Sequence, residues 1–289
     1  MSTTSAKRPV VSIVGPGRLG TALALNLQRA GWDVARIAVR PDAKSLSAAR
    51  KLARPVDAKV VRIGESALPE GLAWITVPDG VIGEVAAQLA LQQNWKGMTV
   101  FHSSGALTSD ELAPLRDAGA RVASVHPGMT FVRKVIPSLQ GVPFGIEGDS
   151  AALRLARRVI ADVGGTSVTI RKENKVLYHA FDAFASPLLI VLMAALEEVG
   201  KAAGIPERKM RSMAGPLLRR TLENYLQHGA AAAFSGPFVR GDVAVVGRHL
   251  TELRKVPLAR EAYVALAKVA AERLPGKDKQ GMRRLVKGK

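Results

Sequence analysis

The sequence predicts an α/β fold, a doubly wound sheet with helices on both faces, followed by an all-helical half. Three observations carry this expectation. Apolar runs of strand length alternate with amphipathic segments from residue 9 to about 170. A glycine turn, Gly15-Pro16-Gly17-Arg18-Leu19-Gly20, joins the first β-branched run to the first helical pattern. Beyond Ile170-Arg171-Lys172-Glu173-Asn174 the strand patterns stop, and nearly everything as far as Leu274 has helical spacing.

Taken in order, strands are expected over 9–14, 34–39, 59–63, 73–77, 98–101, 121–125, 142–147 and 166–170. They are mostly continuous apolar runs, as strands covered on both faces are. Helices are expected over 18–30, 45–53, 80–92, 108–117 and 151–163. One helix of some thirty residues is expected from about Lys175 to Ala203, stopped by Gly204-Ile205-Pro206. Further helices follow near 207–227, 230–234, 242–254 and 258–273. The domains are read as 1–172, a nucleotide-binding sheet domain, 173–275, a helical substrate and dimerisation domain, and 276–289, a basic tail without fixed structure.

Composition narrows the function. The chain of 289 residues has ample length for a core and contains no cysteine, which excludes disulfides, iron–sulfur clusters, thiolate zinc and a cysteine nucleophile. His228 and His249 lack the partner spacing of a metal site, so no metal is expected. Met1 to Arg8 has no apolar core of a secretory leader. The run Ala183–Leu196 lies between Asp182 and Glu197, contains Pro187, and is too short to span a bilayer; it is expected as a buried helix of a cytoplasmic protein. Net charge is +18, of which +5 falls in residues 1–150 and +13 in 151–289. Lys277, Lys279, Arg283, Arg284, Lys287 and Lys289 account for much of the excess. With aromatic residues at 4% and no stacking platform, a basic tail on a soluble enzyme is favoured over nucleic-acid binding.

The glycine turn carries the first chemistry. Gly15 suits a tight turn, Gly17 lets a pyrophosphate approach the backbone, and Gly20 lets the helix pack closely on its strand. The diphosphate then meets the free N–H groups and positive dipole end of the helix. A carboxylate about twenty residues further on would mark NAD. Here Arg40 occupies that place, and a guanidinium suits the 2′-phosphate of NADP. Other strand ends point at the same crevice: Thr76-Val77-Pro78-Asp79, His102-Ser103-Ser104-Gly105 and Val125-His126-Pro127. Val77, Pro78, Asp79, Ser103 and Ser104 are read as cofactor contacts. His102 and His126 are expected to be exposed there as substrate contacts.

With these residues assembled, the chain resembles Rossmann-like oxidoreductases whose helical half is a domain of unknown function, family 2520. The resemblance covers about residues 9–274 and rests on the glycine turn, Val77-Pro78-Asp79, His102-Ser103-Ser104-Gly105 and His126-Pro127. In the helical half it rests on Tyr178-His179-Ala180 and Gly236-Pro237-Phe238-Val239-Arg240-Gly241-Asp242. More distantly the chain is similar to pyrroline-5-carboxylate reductases, β-hydroxyacid dehydrogenases and deazaflavin-dependent NADP reductases. Those relatives imply NADP(H) chemistry and a helical domain that forms homodimers. The β-hydroxyacid dehydrogenases place a catalytic lysine early in the long helix, with asparagines three and four residues later. Lys175 matches the lysine, but Tyr178 and His179 stand at the asparagine places, and Pro187 follows Ser186 where the closer family has asparagine.

Hydride transfer to a small C=O or C=N group also needs a proton source, typically His, Lys or Tyr. Lys175 and His179, four residues apart on one helix face, are the expected catalytic pair, meeting the His102–Gly105 strand end. Ser186 and Arg240 are candidate substrate contacts, with an ion pair as the structural alternative for Arg240. The competing reading is a non-catalytic NADP-binding regulator or scaffold.

Overall fold

The computed structural model describes residues 8–132 and 136–287. The leader reading of Met1–Lys7 and the tail residue Lys289 lie outside the described residues. Contacts divide the chain into two compact units, Met1–Ala183 and Phe184–Lys289, so the boundary falls eleven residues beyond the 172/173 division expected from pattern.

The first unit holds an eight-stranded sheet in the order β3-β2-β1-β4-β5-β6-β7-β8 among the described residues. The strands are β1 Val10–Val14, β2 Val34–Val39, β3 Lys59–Arg62, β4 Gly71–Ile75, β5 Thr99–His102, β6 Arg121–Pro127, β7 Pro143–Gly148 and β8 Thr166–Thr169. Helices α1 Arg18–Arg29, α2 Ala43–Val56, α3 Ile82–Ala90, α4 Ala113–Asp117 and α5 Ser150–Asp162 cover its faces. The apolar runs Val11, Ile13, Leu72, Trp74, Phe101 and Val125 are buried, which is why these segments become central strands. Strands β1 to β6 run parallel, but β7 pairs antiparallel with β6, and His126 faces Gly145 across that pair. Composition does not distinguish the two directions; a β6–β7 connection with no helix among its described residues does. That connection is fastened to α1, because Arg18 donates to Phe131 O at 2.8 Å and Asn26 Nδ2 to Pro137 O at 3.0 Å.

The expected thirty-residue helix is two. Helix α6 runs Lys175–Ala185 and α7 runs Pro187–Ala202, with Ser186 at φ −131°, ψ −82° between them. Proline supplies no N–H to the preceding turn and constrains the residue before it, so the break falls there. The first unit ends at Ala183, within the last turn of α6.

In the second unit α7 is followed by α8 Glu207–Ala233, α9 Pro237–Arg240, α10 Val243–Glu252, α11 Pro257–Arg273 and α12 Lys279–Lys287. Gly229, at φ 75°, interrupts α8 where the sequence pattern breaks between 227 and 230. Two expectations fail here. Helix α7 is not buried: Leu188, Ile190 and Val191 face outward, and Gly200 alone of its residues is buried. By length and composition alone, Lys172–Ala202 would pass as a membrane-crossing helix. The basic tail is also structured from Lys279 to Lys287, because Met282 and Leu285 seat on the cluster of Val246, Leu250, Val264 and Ala271, and Val286 is buried too. Arg283 adds an ion pair to Glu272 at 2.9 Å. The alternation of these apolar residues with the basic ones makes α12 amphipathic, a pattern masked by its charge.

Candidate active site

The glycine turn beyond β1 is held from both sides. Gly15 has φ +104°, a conformation side-chain-bearing residues avoid, and its N–H donates to Ala38 O at 2.9 Å. A Cβ at Gly20 would run into the Gly15 carbonyl and lie 2.6 Å from Thr76 Oγ1, so the helix can approach the strand only as glycine. The Thr76 hydroxyl donates to Gly15 O at 2.7 Å, and Val77 lies beneath the turn. Exposed Gly17 caps α1, with no side-chain cap and no acidic residue in the first turn. The helix therefore presents unpaired backbone N–H groups and its positive end, which fits a dinucleotide diphosphate.

Around this turn, Pro16 is half-buried, Leu19 packs against the core, and Arg18 is committed to Phe131 O. Arg40 is exposed two residues past Ala38, whose carbonyl holds the turn. Asp42 is occupied as the cap of α2, accepting from Ser45 N at 2.9 Å. That hydrogen bond, with nearby Arg40, holds its carboxyl below the usual range.

The end of β5 is a knot tied at Ser104. Its N–H donates to His102 Nδ1 at 3.1 Å, its hydroxyl to Asp79 Oδ2 at 2.7 Å, and it accepts from Leu107 N at 2.9 Å. Its carbonyl accepts from the Ser124 hydroxyl at 3.2 Å and from the Lys175 ammonium at 3.0 Å. Ser103 is turned the other way, accepting from Trp74 Nε1 at 2.8 Å. Of the residues read from sequence as cofactor contacts, Ser103 and Ser104 thus commit their hydroxyls to Trp74 and to Asp79, while Asp79 itself stays exposed. Pro78 leads into the short helical turn Asp79–Val81.

His102 corrects a second expectation. It is 0% exposed, with Nδ1 accepting from Ser104 N and Nε2 donating to Thr108 O at 3.0 Å. Both ring nitrogens are used, so His102 shapes the loop and is not exposed at the crevice as expected. Burial pushes its pKa down to about 4.

Helix α6 supplies the rest. Lys175, Tyr178, His179 and Asp182 recur at i, i+3, i+4 and i+7, a polar stripe on a helix whose other side bears Val176, Leu177, Phe181 and Phe184. The stripe turns toward the sheet and the apolar side faces out, with Phe181 and Phe184 exposed. Lys175 is 1% exposed. Burial lowers its pKa to about 8 even with Glu147, Asp79 and Asp182 nearby. His179 lies exposed against Gly105, where a Cβ would collide with its ring and approach His126 Nε2 to 3.0 Å. His126 Nδ1 lies 3.0 Å from the Tyr178 hydroxyl and 3.5 Å from Asp182 Oδ2. Desolvation, reinforced by the Lys175 charge, takes His126 to about 4, so it is neutral near pH 7.

Sequence reasoning placed Thr76 at the crevice but gave no role to its hydroxyl, to Asp182 or to Tyr178. The i, i+3, i+4, i+7 spacing of the stripe was the available signal. Ser186 and Arg240 belong to the second unit; Arg240 pairs with Asp242 at 2.8 Å, the ion-pair alternative. His249 meets the Tyr263 hydroxyl at 3.0 Å. Among the described residues no cluster of three or more His, Asp or Glu side chains could hold a metal ion.

This sheet order, with the glycine turn at β1 and helices on both faces, defines a Rossmann-like α/β protein with a helical C-terminal half. Residues 2–127 match the Rossmann-like domain family and residues 142–270 match the domain of unknown function DUF2520; the chain is a Rossmann-like domain followed by a DUF2520 domain. Among solved structures it is similar to a Bacteroides fragilis protein, BF3122, provisionally described as an NADP oxidoreductase, at 18% identity and TM-score 0.71, covering 96% of this chain and 98% of that one. It is similar to protein TM1727 from Thermotoga maritima at 24% identity and TM-score 0.70, covering 96% and 99%. The reductive aminase from Aspergillus terreus, solved with NADPH and ethyl-5-oxohexanoate, is similar at 14% identity and TM-score 0.64, covering 95% and 98%. No curated protein is similar to the chain in sequence at a significant level.

Proposed function

We propose that the chain is an NADP(H)-dependent oxidoreductase that transfers hydride to or from a small C=O or C=N substrate. One observation carries the reading: an anion-ready helix N-terminus and the polar stripe of α6 both belong to the first unit, beside the carboxyl ends of its strands. Ligands of open α/β sheets bind at those ends. Gly15, Pro16, Gly17 and Gly20 would cradle the diphosphate, and exposed Arg40 would take the 2′-phosphate. NADPH in the similar A. terreus reductive aminase supports that choice of cofactor. The bound nicotinamide would supply the hydride. Lys175, Tyr178 and His179 supply the proton chemistry, with Lys175 acting through its charge and its hold on Ser104, since it is enclosed.

The same reading makes the protein a cytoplasmic homodimer. Ile190, Val191, Leu217 and Leu226 on α7 and α8 are exposed in the single chain, an apolar surface that a second copy would cover. Oxidation of NADPH by the purified protein against a panel of cyclic imines, 2-oxo acids and aldehydes tests the reading. Turnover of any of them supports it. Bound NADPH with no turnover across the panel would favour a non-catalytic NADP-binding regulator.

A further inference from the structure

Tyr178 is placed by an absence. On β7, Gly145 lies opposite His126 of β6, and a Cβ there would stand 2.5 Å from the Tyr178 ring and 2.6 Å from its oxygen. Any other residue at 145 would evict the phenol. In the space glycine leaves, the hydroxyl reaches His126 Nδ1 at 3.0 Å, and the two rings meet edge to face at 5.7 Å. Asp182, one turn further along α6, flanks the same hydroxyl, with its Oδ2 3.5 Å from His126 Nδ1. The other candidates on this helix are less well placed. The Lys175 ammonium is enclosed against Ser104 O, and His179 stands in the open against Gly105 with no hydrogen bond among the described residues to orient it.

We propose that Tyr178 is the catalytic acid of this site, its hydroxyl aimed by His126 and Asp182 from the seat that Gly145 leaves open. The assignment rests on the reductase reading above. For a carbonyl substrate, the carbon gains hydride from the reduced nicotinamide, the C=O π pair moves onto oxygen, and that oxygen takes the Tyr178 proton as the phenol O–H bond breaks. The phenolate left behind is favoured by the Gly145 backbone N–H and is reprotonated from solvent past His126. At rest, burial and the Asp182 charge hold the phenol above its ordinary pKa, so it is protonated throughout the physiological range and gives up its proton only as negative charge develops on the substrate oxygen.

The test compares the full chain with Tyr178→Phe and Asp182→Asn in three measurements. These are NADPH affinity, kcat with the imine, 2-oxo acid and aldehyde panel, and ultraviolet titration of tyrosinate in the absence of cofactor. Expected are NADPH binding within about twofold for Tyr178→Phe, with kcat lower by about 100-fold or more, the span of general acid catalysis. The titration should lose its highest-pH tyrosine in Tyr178→Phe and see that tyrosine ionise at lower pH in Asp182→Asn. Full kcat in Tyr178→Phe, or an unaltered titration, overturns the assignment and leaves the reductase reading standing. A wild-type protein that oxidises no NADPH overturns both.

Discussion

The Lys175 ammonium donates to the Ser104 carbonyl at 3.0 Å across 71 residues of sequence, fixing helix α6 to the end of strand β5. The contact joins the two segments that carry the proposed chemistry, and it does so with a cation 1% exposed. A buried ion is costly unless well paired, so its retention speaks for a role beyond stability.

Lys175→Met is therefore expected to fold, with a thermal midpoint equal to or above wild type, while kcat falls about tenfold or more because the Ser104 turn loses its anchor. The sign of the pH effect is distinct. A lysine whose folded pKa is about 8, below its unfolded 10.5, gains stability as pH rises through that window. Wild type should become more stable between pH 8 and 10 relative to Lys175→Met. Parallel curves for the two proteins would show that the lysine is not held in its buried setting.

Two histidines set the acid limit. His102 and His126 are each pushed from 6.5 to about 4 by burial, so the unfolded chain binds more protons between those values. Stability is fully present above pH 6.5 and falls as pH drops toward 4, by up to about 3 kcal/mol for each fully buried histidine at about 1.4 kcal/mol per pKa unit. Urea midpoints measured from pH 7 to pH 4.5 should decline steeply. His102→Gln should flatten the decline while lowering stability at pH 7, since it forfeits the bonds to Ser104 and Thr108.

Much of this was legible in the sequence, for physical reasons that particular residues display. All eight strands lie within two residues of their expected bounds, and for the central strands this is because apolar runs buried on both faces leave little else to read. The glycine turn announced itself, since Gly15 and Gly20 occupy places no other residue fits. His102 misled because a strand-end histidine looks the same whether its nitrogens face solvent or, as here, Ser104 and Thr108. Helix α7 misled because apolar residues imply a cover without saying whether the same chain provides it. Tyr178 and Asp182 escaped because their setting depends on the antiparallel register that brings Gly145 beside His126, a pairing with no local signature.

The Gly145 seat makes its own prediction. Gly145→Ala must displace the Tyr178 ring, so kcat should fall about tenfold or more, with NADPH affinity unchanged. Gly20→Ala, which forces α1 off β1, should instead weaken NADPH binding and cost about 1–3 kcal/mol of stability by overpacking. Calorimetric binding and thermal melts on the two variants separate these effects. Equal losses of affinity in both would contradict the division of labour.

The outward apolar face of α7 and α8 predicts a dimer. Sedimentation equilibrium of the full chain should give twice the mass of 30.7 kDa, and Ile190→Glu or Leu217→Glu, each at a position more than 60% exposed in the single chain, should shift it toward monomer. A wild-type monomer at micromolar concentration would leave that face without its proposed occupant.

The central claim is that the glycine turn and Arg40 together hold NADP(H). It is tested most directly by calorimetric titration of the purified protein with NADPH and with NADH. NADPH should bind at least about tenfold more tightly, as one or two charge-assisted hydrogen bonds to a 2′-phosphate would provide, and Arg40→Ala should erase most of that difference. Tighter binding of NADH, or no binding of either, would contradict the account.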